Sequence, residues 1–311
     1  MKAYKKVMLA AAMAFSIVGT AHAGPILIAG TDSDDHGSLS GGVNVNGWKF
    51  IQQGIADIGA NVTNTKKQAV CLGCNGSEAS GAFNSGFNLS GLAGTWTSVI
   101  LTSVLDITNF FNGTGATSVS TAGFIYMPTV VNNVGGGIDN TQLAVVNANG
   151  TAINSFLSAG GGLFTQEQAN STIGYGWLTS LLPGLNVRGD NIGGITNSNT
   201  LQLTAQGQAQ FPGLTNSDFS NATPWHAYFT GNFGALQSLV VGNGDNIPVG
   251  AFNDTVVLGG GFAGGGGVIV CGQPGQPACQ PGNNVPEPGS IALIGLGLVA
   301  LLTTRRRRME G

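Results

Sequence analysis

Apolar runs beside clusters of positive charge mark both ends of this chain and confine its globular fold to the residues between them. The 311 residues contain 11 Lys and Arg, and seven of these lie in the two tails. Such runs are read by export and membrane machinery, so they are set apart from the core. The intervening stretch 24–284 keeps four basic and twelve acidic side chains, a formal net charge of −8.

The N-terminal residues 1–23 have the three parts of a secretory signal peptide. Three lysines stand among the first six residues, an apolar run follows at 7–19, and Ala21 and Ala23 form a small-x-small cleavage site. The apolar run is too short for a transmembrane helix. The pattern predicts export through the Sec translocon and cleavage by signal peptidase after Ala23, which leaves Gly24 as the first mature residue.

The C-terminal residues 285–308 also have three consecutive parts. A proline-bounded polar motif precedes an apolar stretch at 291–302, and a basic cluster follows it. The apolar stretch is shorter than the ~20 residues of a full bilayer crossing, but basic residues on its far side obey the positive-inside rule. We therefore predict a single C-terminal transmembrane helix that acts as a temporary anchor. The motif is Val285, Pro286, Glu287 and Pro288, and the cluster is Arg305, Arg306, Arg307 and Arg308.

This order of parts resembles the PEP-CTERM sorting signal, which occurs on exported proteins of Gram-negative bacteria. The resemblance covers about 25 residues and implies recognition by an exosortase, a membrane cysteine protease expected to cut near the Pro-Glu-Pro motif. Proteins with this tail tend to accompany exopolysaccharide and biofilm-matrix production. The resemblance thus implies a transient stay in the inner membrane, followed by sorting to the cell surface or the extracellular matrix.

The middle of the chain, 24–270, begins with a strand followed by a helix. Residues 25–29 are apolar, and a polar loop separates them from apolar residues spaced three to four positions apart: Trp48, Ile51, Ile55 and Ile58. Asn46 is placed to cap this helix, and Gly59 to stop it. A strand, a loop and a helix in this order are typical of a βα unit.

A second unit of the same kind follows. Residues 123–128 have the pattern of a buried strand, and Asp139 can cap a helix that Gly150 interrupts. Another strand is predicted at 163–165. The last third has several short strand patterns separated by turn residues. The Pro/Gly-rich segment 271–284 reads as a linker to the C-terminal signal.

The strand-loop ILIAGTDSDD, the helix running into FLSAGGGLFTQ and the late PWHAYFTG and VVLGGG segments carry a second resemblance. They resemble an α/β, three-layer domain of the flavodoxin-like or class I glutamine-amidotransferase-like type, here with a β-rich C-terminal part. An all-β exported domain with Gly- and Asn-rich turns is the alternative. An amidotransferase would carry a Cys or Ser nucleophile on a strand-to-helix elbow, and residues 165–169, directly after Phe164, include neither. This departure favours a protein without that chemistry.

The cysteines form two closely spaced pairs, as in an exported protein with disulfides. Their count is even, and the predicted location is oxidising. Redox C-x-x-C chemistry and a zinc site are alternatives, although the second pair is spaced too widely for a zinc knuckle. We predict the local pairs Cys71–Cys74 and Cys271–Cys279.

The loop after the first strand concentrates the chemistry-bearing side chains. It contains Asp32, Asp34, Asp35 and His36, three carboxylates and an imidazole in five residues. Open α/β sheets bind ligands at the carboxyl ends of their strands, where this loop is predicted to lie. A solvated polar loop is the plain interpretation. A weak Ca²⁺ site is the alternative, although the EF-hand Gly and Glu are missing. We otherwise expect no cofactor.

Two functional hypotheses follow. The first is a non-catalytic surface or matrix protein that interacts with exopolysaccharide or neighbouring proteins. The second is an exported hydrolase of polysaccharide or peptide that uses Asp34, Asp35, Glu167 or His226. Charged residues are 8% of the chain against about 25% in ordinary domains, and the middle is acidic, which argues against nucleic-acid binding.

Overall fold

A mixed β-sheet with helices against both of its faces forms the framework of the protein. A computed structural model describes residues 23–130, 136–167, 172–189, 201–219, 226–242 and 254–261. The strands are β1 (Pro25–Ala29), β2 (Gly37–Ser40), β3 (Val43–Asn46), β4 (Gln68–Leu72), β5 (Thr97–Leu101), β6 (Phe124–Met127), β7 (Gly162–Gln166), β8 (Leu185–Arg188), β9 (Gln202–Leu203), β10 (Tyr228–Gly231), β11 (Gln237–Gly242) and β12 (Asp254–Gly261).

Eight helices are found among the described residues. They are α1 (Gly47–Asn61), α2 (Ser77–Leu89), α3 (Val104–Asn112), α4 (Asn140–Ala148), α5 (Gly150–Ser158), α6 (Gly176–Leu181), α7 (Ala205–Gln210) and α8 (Asn216–Phe219). The helices α1 to α5 lie between strands of the parallel part of the sheet, as expected for crossover connections. The described residues therefore confirm the α/β class, and the all-β alternative is wrong.

The sheet joins a parallel half to an antiparallel half. Parallel strands follow the order β5-β4-β6-β7-β1, and the antiparallel strands β12, β10 and β8 continue from β1. Strand β11 pairs with β12 and β9, while β2 and β3 form a separate hairpin. In a flavodoxin-like sheet the first strand lies between the second and third, whereas here β1 lies beyond β7. The strand order therefore differs from the flavodoxin-like arrangement, while the β-rich C-terminal part is observed.

Alternating side chains of the buried strands build a core on each face of the sheet. In β1, Ile26 and Ile28 belong to the core beneath α3, α4, α5 and α6, while Leu27 and Ala29 belong to the core beneath α1 and α2. This period of two follows from strand geometry. Gly54 of α1 lets the helix approach the sheet, because a Cβ there would lie 2.6 Å from the Phe164 ring. The sheet and its helices thus form three layers.

The predicted helix boundaries are accurate to a few residues. Helix α1 buries the three isoleucines of the predicted apolar stripe and leaves Trp48 half-buried; it runs to Asn61 rather than stopping at Gly59, and Asn46 makes no side-chain cap hydrogen bond. Asp139 does cap α4, through a reciprocal capping box with Gln142. The predicted interruption at Gly150 is observed as the boundary between α4 and α5.

The described residues test one of the two predicted disulfides. Cys71, at the end of β4, is bonded to Cys74, and the Cα atoms lie 5.9 Å apart. Both residues are buried. Cys271 and Cys279 lie outside the described residues.

The predicted C-terminal transmembrane helix also falls outside the described ranges, together with the rest of 262–311. Within those ranges, none of the helices combines the length and the apolar character needed to cross a membrane.

Candidate functional site

The carboxyl ends of neighbouring strands bring the candidate residues to one edge of the sheet. The loop 30–36 follows β1, Thr129 lies just after β6, and Gln166 ends β7. His226, which precedes β10, reaches the same edge because its backbone N–H donates a 2.8 Å hydrogen bond to the carbonyl of Gly30. The predicted position of the acidic loop is therefore observed.

Two histidines converge on the carboxylate of Asp32. Nε2 of His226 lies 3.1 Å from Oδ2 of Asp32, and Nε2 of His36 lies 3.5 Å from the same oxygen. The Asp32 side chain is only 2% exposed, whereas those of His36 and His226 are 41% and 36% exposed. A buried carboxylate thus fixes two imidazoles that solvent can reach. This is the means by which a carboxylate orients a catalytic or binding histidine.

Asp34 points away from the histidines and into the protein. Its carboxylate accepts hydrogen bonds from the hydroxyl and the backbone N–H of Thr129, and from Nε2 of Gln166 at 3.2 Å. The indole of Trp48 donates a 2.8 Å hydrogen bond to the backbone carbonyl of Asp34. Asp34 therefore fixes the loop to the ends of β6 and β7 through its side chain and to helix α1 through its backbone carbonyl.

Gln166 connects the loop to the rest of the edge. Its Oε1 accepts from the backbone N–H of Ser33 at 2.9 Å and from the Thr31 hydroxyl at 3.3 Å. Its Nε2 donates to the Tyr126 hydroxyl at 2.7 Å as well as to Asp34. The side-chain oxygen and nitrogen of Gln166 thus make two hydrogen bonds each, so this buried side chain uses its full capacity for hydrogen bonding.

Burial sets the electrostatics of this network. It raises the pKa of Asp34 to about 8, with a further increase from the charge of Asp32, while the hydrogen bond from Thr129 opposes the change. The pKa of His36 is raised by its hydrogen bond to Asp32 and by nearby carboxylates, against the effect of burial. Burial also raises the pKa of Tyr126 well above its usual value. Burial therefore favours the protonated form of Asp34, whereas the pairing with Asp32 favours the charged form of His36.

Glu167 belongs to the other face of the sheet. Its Oε1 accepts a 2.6 Å hydrogen bond from the Thr165 hydroxyl. A side-chain hydrogen bond with Tyr175 lowers the pKa of Glu167 and so opposes the effect of burial. Tyr175 belongs to the core beneath α3 to α6, whereas Tyr126, the partner of Gln166, belongs to the opposite core. Burial raises the pKa of Glu167 to about 8. The predicted hydrolase residues therefore fall into separate environments, and only His226 joins the acidic loop.

Two carboxylates of the alternative Ca²⁺ site face different partners. Asp32 faces the histidines, whereas Asp34 faces Thr129 and Gln166. Over the described ranges, no group of three or more His, Cys, Asp or Glu side chains is arranged to hold a metal ion.

Gln166, Thr129 and Tyr126 are the residues that reasoning from sequence missed. An uncharged amide or hydroxyl carries little chemical signal, and the contacts of Thr129 and Gln166 with Asp34, and of Tyr126 with Gln166, span long distances in sequence. The one available clue was position, because each lies within or just after a predicted strand. His226 was identified as a candidate, but its partner Asp32 is 194 positions away.

Comparison with known proteins identifies the C-terminal signal. No curated protein and no solved structure matches the chain. A family model described as the PEP-CTERM protein-sorting motif matches residues 284–308, which include Val285 to Pro288 and the four terminal arginines. The predicted resemblance of this segment is confirmed. The chain is therefore an exported protein that carries a C-terminal PEP-CTERM sorting motif, a membrane-anchor region processed by exosortase.

Proposed function

We propose that the mature domain acts as a non-catalytic component of the cell surface or extracellular matrix, in association with exopolysaccharide. The PEP-CTERM match at 284–308 carries this proposal. The charge distribution supports it, because processing at both ends removes most basic residues and leaves the acidic stretch 24–284. A net negative surface remains soluble and avoids non-specific contact with anionic partners.

Intact mass measurement and cell fractionation test the sorting step. The wild-type exported protein is expected to lack Arg305–Arg308 and to leave the membrane fraction. The double variant Pro286→Ala, Glu287→Ala should retain the arginines and stay in the membrane. A wild-type mature protein that keeps all four arginines would show that the exosortase route is not used.

The matrix association needs a separate measurement. The same protein is expressed in cells that make exopolysaccharide and in cells that do not. We expect the processed protein to remain with the cells in the first case and to appear in the medium in the second. Equal retention in both strains would contradict an association with exopolysaccharide, and it would leave the processing result intact.

A second candidate function is hydrolysis of polysaccharide or peptide, and one observation favours it. His226 and Asp32 form a hydrogen-bonded pair at the sheet edge where α/β proteins bind ligands. With Nε2 directed at the carboxylate, Nδ1 of His226 is left to take up a proton from water or a substrate hydroxyl. Asp32 stabilises the imidazolium that results. Asp34 would hold the loop, because it is fully buried.

The purified exported protein can be assayed on chromogenic glycosides and on peptides. If this function is correct, His226→Ala and Asp32→Asn should lower kcat/KM by about 10²- to 10⁴-fold, the usual range for a lost acid–base group. Asp218→Asn is the matched control, because Asp218 pairs with Lys49 instead of with the histidines. Hydrolysis that survives in His226→Ala would rule out this site as its source.

A further inference from the structure

The folded domain begins immediately after the predicted signal-peptidase bond, without a spacer. Gly24 is buried and its N–H donates a 2.8 Å hydrogen bond to the carbonyl of Leu157. Strand β1 starts at the next residue, and all five of its residues are buried. Ala23, on the other side of the bond, is half-buried and packs against the core.

The backbone around the bond leaves no room for another chain. A Cβ on Gly24 would lie 1.7 Å from the carbonyl oxygen of Gly161, so the backbone of Gly24 lies directly against that segment. Downstream, β1 is paired along both edges, with β7 on one side and β12 on the other. A protease that binds its substrate as an extended strand needs free main-chain groups on both sides of the bond. The folded domain offers none on the β1 side.

A cavity of about 410 Å³ adjoins Ala23 and is lined by Asp57, Asn61 and Gln210 among others. Its volume is typical of sites for small molecules. Ala23 and Pro25 also line it, whereas Gly24 between them does not and instead lies against the backbone of Gly161.

We propose that the domain seals its own processing site, so that signal peptidase must cut the Ala23–Gly24 bond before β1 is enclosed in the sheet. The reaction is a hydrolysis: water adds across the amide, which leaves a carboxylate on Ala23 and an ammonium on Gly24. This inference rests on the export that the proposed function assumes. It goes further because it assigns an order to cleavage and folding.

The sheet topology sets the time available for the cut. Strand β12, which covers one edge of β1 and pairs Gly261 with Pro25, comes last among the described strands. A chain that is exported from its N-terminus cannot complete this pairing until β12 has crossed the membrane. The Ala23–Gly24 bond therefore stays accessible to signal peptidase while nearly the whole domain is translocated. It becomes buried when the domain is complete.

The new terminus would lie at the C-terminal end of α5. The carbonyl of Leu157, in the last turn of this helix, accepts hydrogen bonds from the backbone N–H groups of Gly24 and Gly160. The ammonium of Gly24 can keep its hydrogen bond to this carbonyl, and its positive charge faces the negative end of the helix dipole.

The experiment compares purified precursors that have already folded. The wild-type precursor is refolded in detergent micelles, its folding is verified by resistance to a general protease, and signal peptidase is added. The matched control carries an insertion of about ten Gly and Ser residues between Gly24 and Pro25, ending in Gly, which extends up to ~30 Å and moves the bond away from the sheet. Leu27→Asp, which places a charge in the core, supplies an unfolded precursor.

The folded wild-type precursor is expected to be cut at least about tenfold more slowly than the other two, a difference of ~1.4 kcal/mol in the free energy of access. Mass measurement should locate the cut after Ala23 in both controls. Equal rates for the folded wild-type and insertion precursors would overturn the proposal. So would an insertion precursor that stays intact, because burial would then not be what protects the bond. The sorting motif at 284–308 takes no part in this assay, so either proposal can fail alone.

Discussion

Replacing Glu167 by Gln should remove a pH dependence from the stability of the domain. Glu167 is fully buried, and burial raises its pKa from 4.5 to about 8. Its partner Thr165 donates to Oε1, an oxygen that Gln also supplies. The substitution therefore keeps the shape and the hydrogen bond but removes the ionisable proton.

The magnitude follows from the difference between the folded and unfolded pKa values. Because the folded state holds the proton more tightly, this contribution to stability is fully present below pH 4.5 and is lost as the pH rises towards 8. Each pH unit inside that window costs about 1.4 kcal/mol of unfolding free energy. Between pH 5 and pH 7 the loss is about 2–3 kcal/mol, a large part of the ~5–15 kcal/mol that stabilises an ordinary domain.

Urea unfolding of both proteins at pH 5, 6 and 7 measures this effect. Asp34 and the other titrating groups are common to both, so the difference in unfolding free energy between them isolates Glu167. That difference should change by about 2–3 kcal/mol over the range, in favour of the variant at high pH. Glu78→Gln, at an exposed position of α2, is the matched control for a Glu-to-Gln change outside the core. A difference for Glu167→Gln that stays constant over this pH range would refute the reasoning.

Three further predictions concern packing, capping and the disulfide. Phe50→Ala should cost about 3–5 kcal/mol in urea unfolding, because the ring is fully buried against three other phenylalanines, and a loss below ~1 kcal/mol would contradict this packing. Asp139→Ala should cost about 1 kcal/mol by removing the cap of α4, while Asp139→Asn should recover most of it in thermal melts. Reduction of Cys71–Cys74 should cost only about 2 kcal/mol, since the bond closes a very short loop; calorimetry with and without reductant checks this, and global unfolding on reduction would disprove it.

Reasoning from sequence succeeded where a structure depends on residues close together in the chain. Three features of this kind involve residues that are close in sequence: the apolar stripe of α1, the capping of α4 by Asp139 and the Cys71–Cys74 bond. The C-terminal signal is of the same kind, because its parts follow one another along 25 residues. Such features need no knowledge of how the chain folds back on itself.

The candidate site depends on contacts of another kind. Asp34 meets Thr129 and Gln166 across 95 and 132 positions, and Asp32 meets His226 across 194. These meetings require that β1 lie beside β7 and that the segment before β10 return to the same edge. The sequence indicated strands but carried no information on their order, so the expected flavodoxin-like order was not the one observed.

The sequence by itself determined that the chain carries a C-terminal sorting motif, since such a signal consists of residues that follow one another along the chain. It also determined the α/β class, because helix and strand periodicities are local. Only the tertiary structure decided which face of the sheet holds Glu167, which histidines reach Asp32, and that Gly24 is enclosed. The physical reason is that burial and distance between remote residues are properties of the completed sheet, which exists only once β12 pairs with β1.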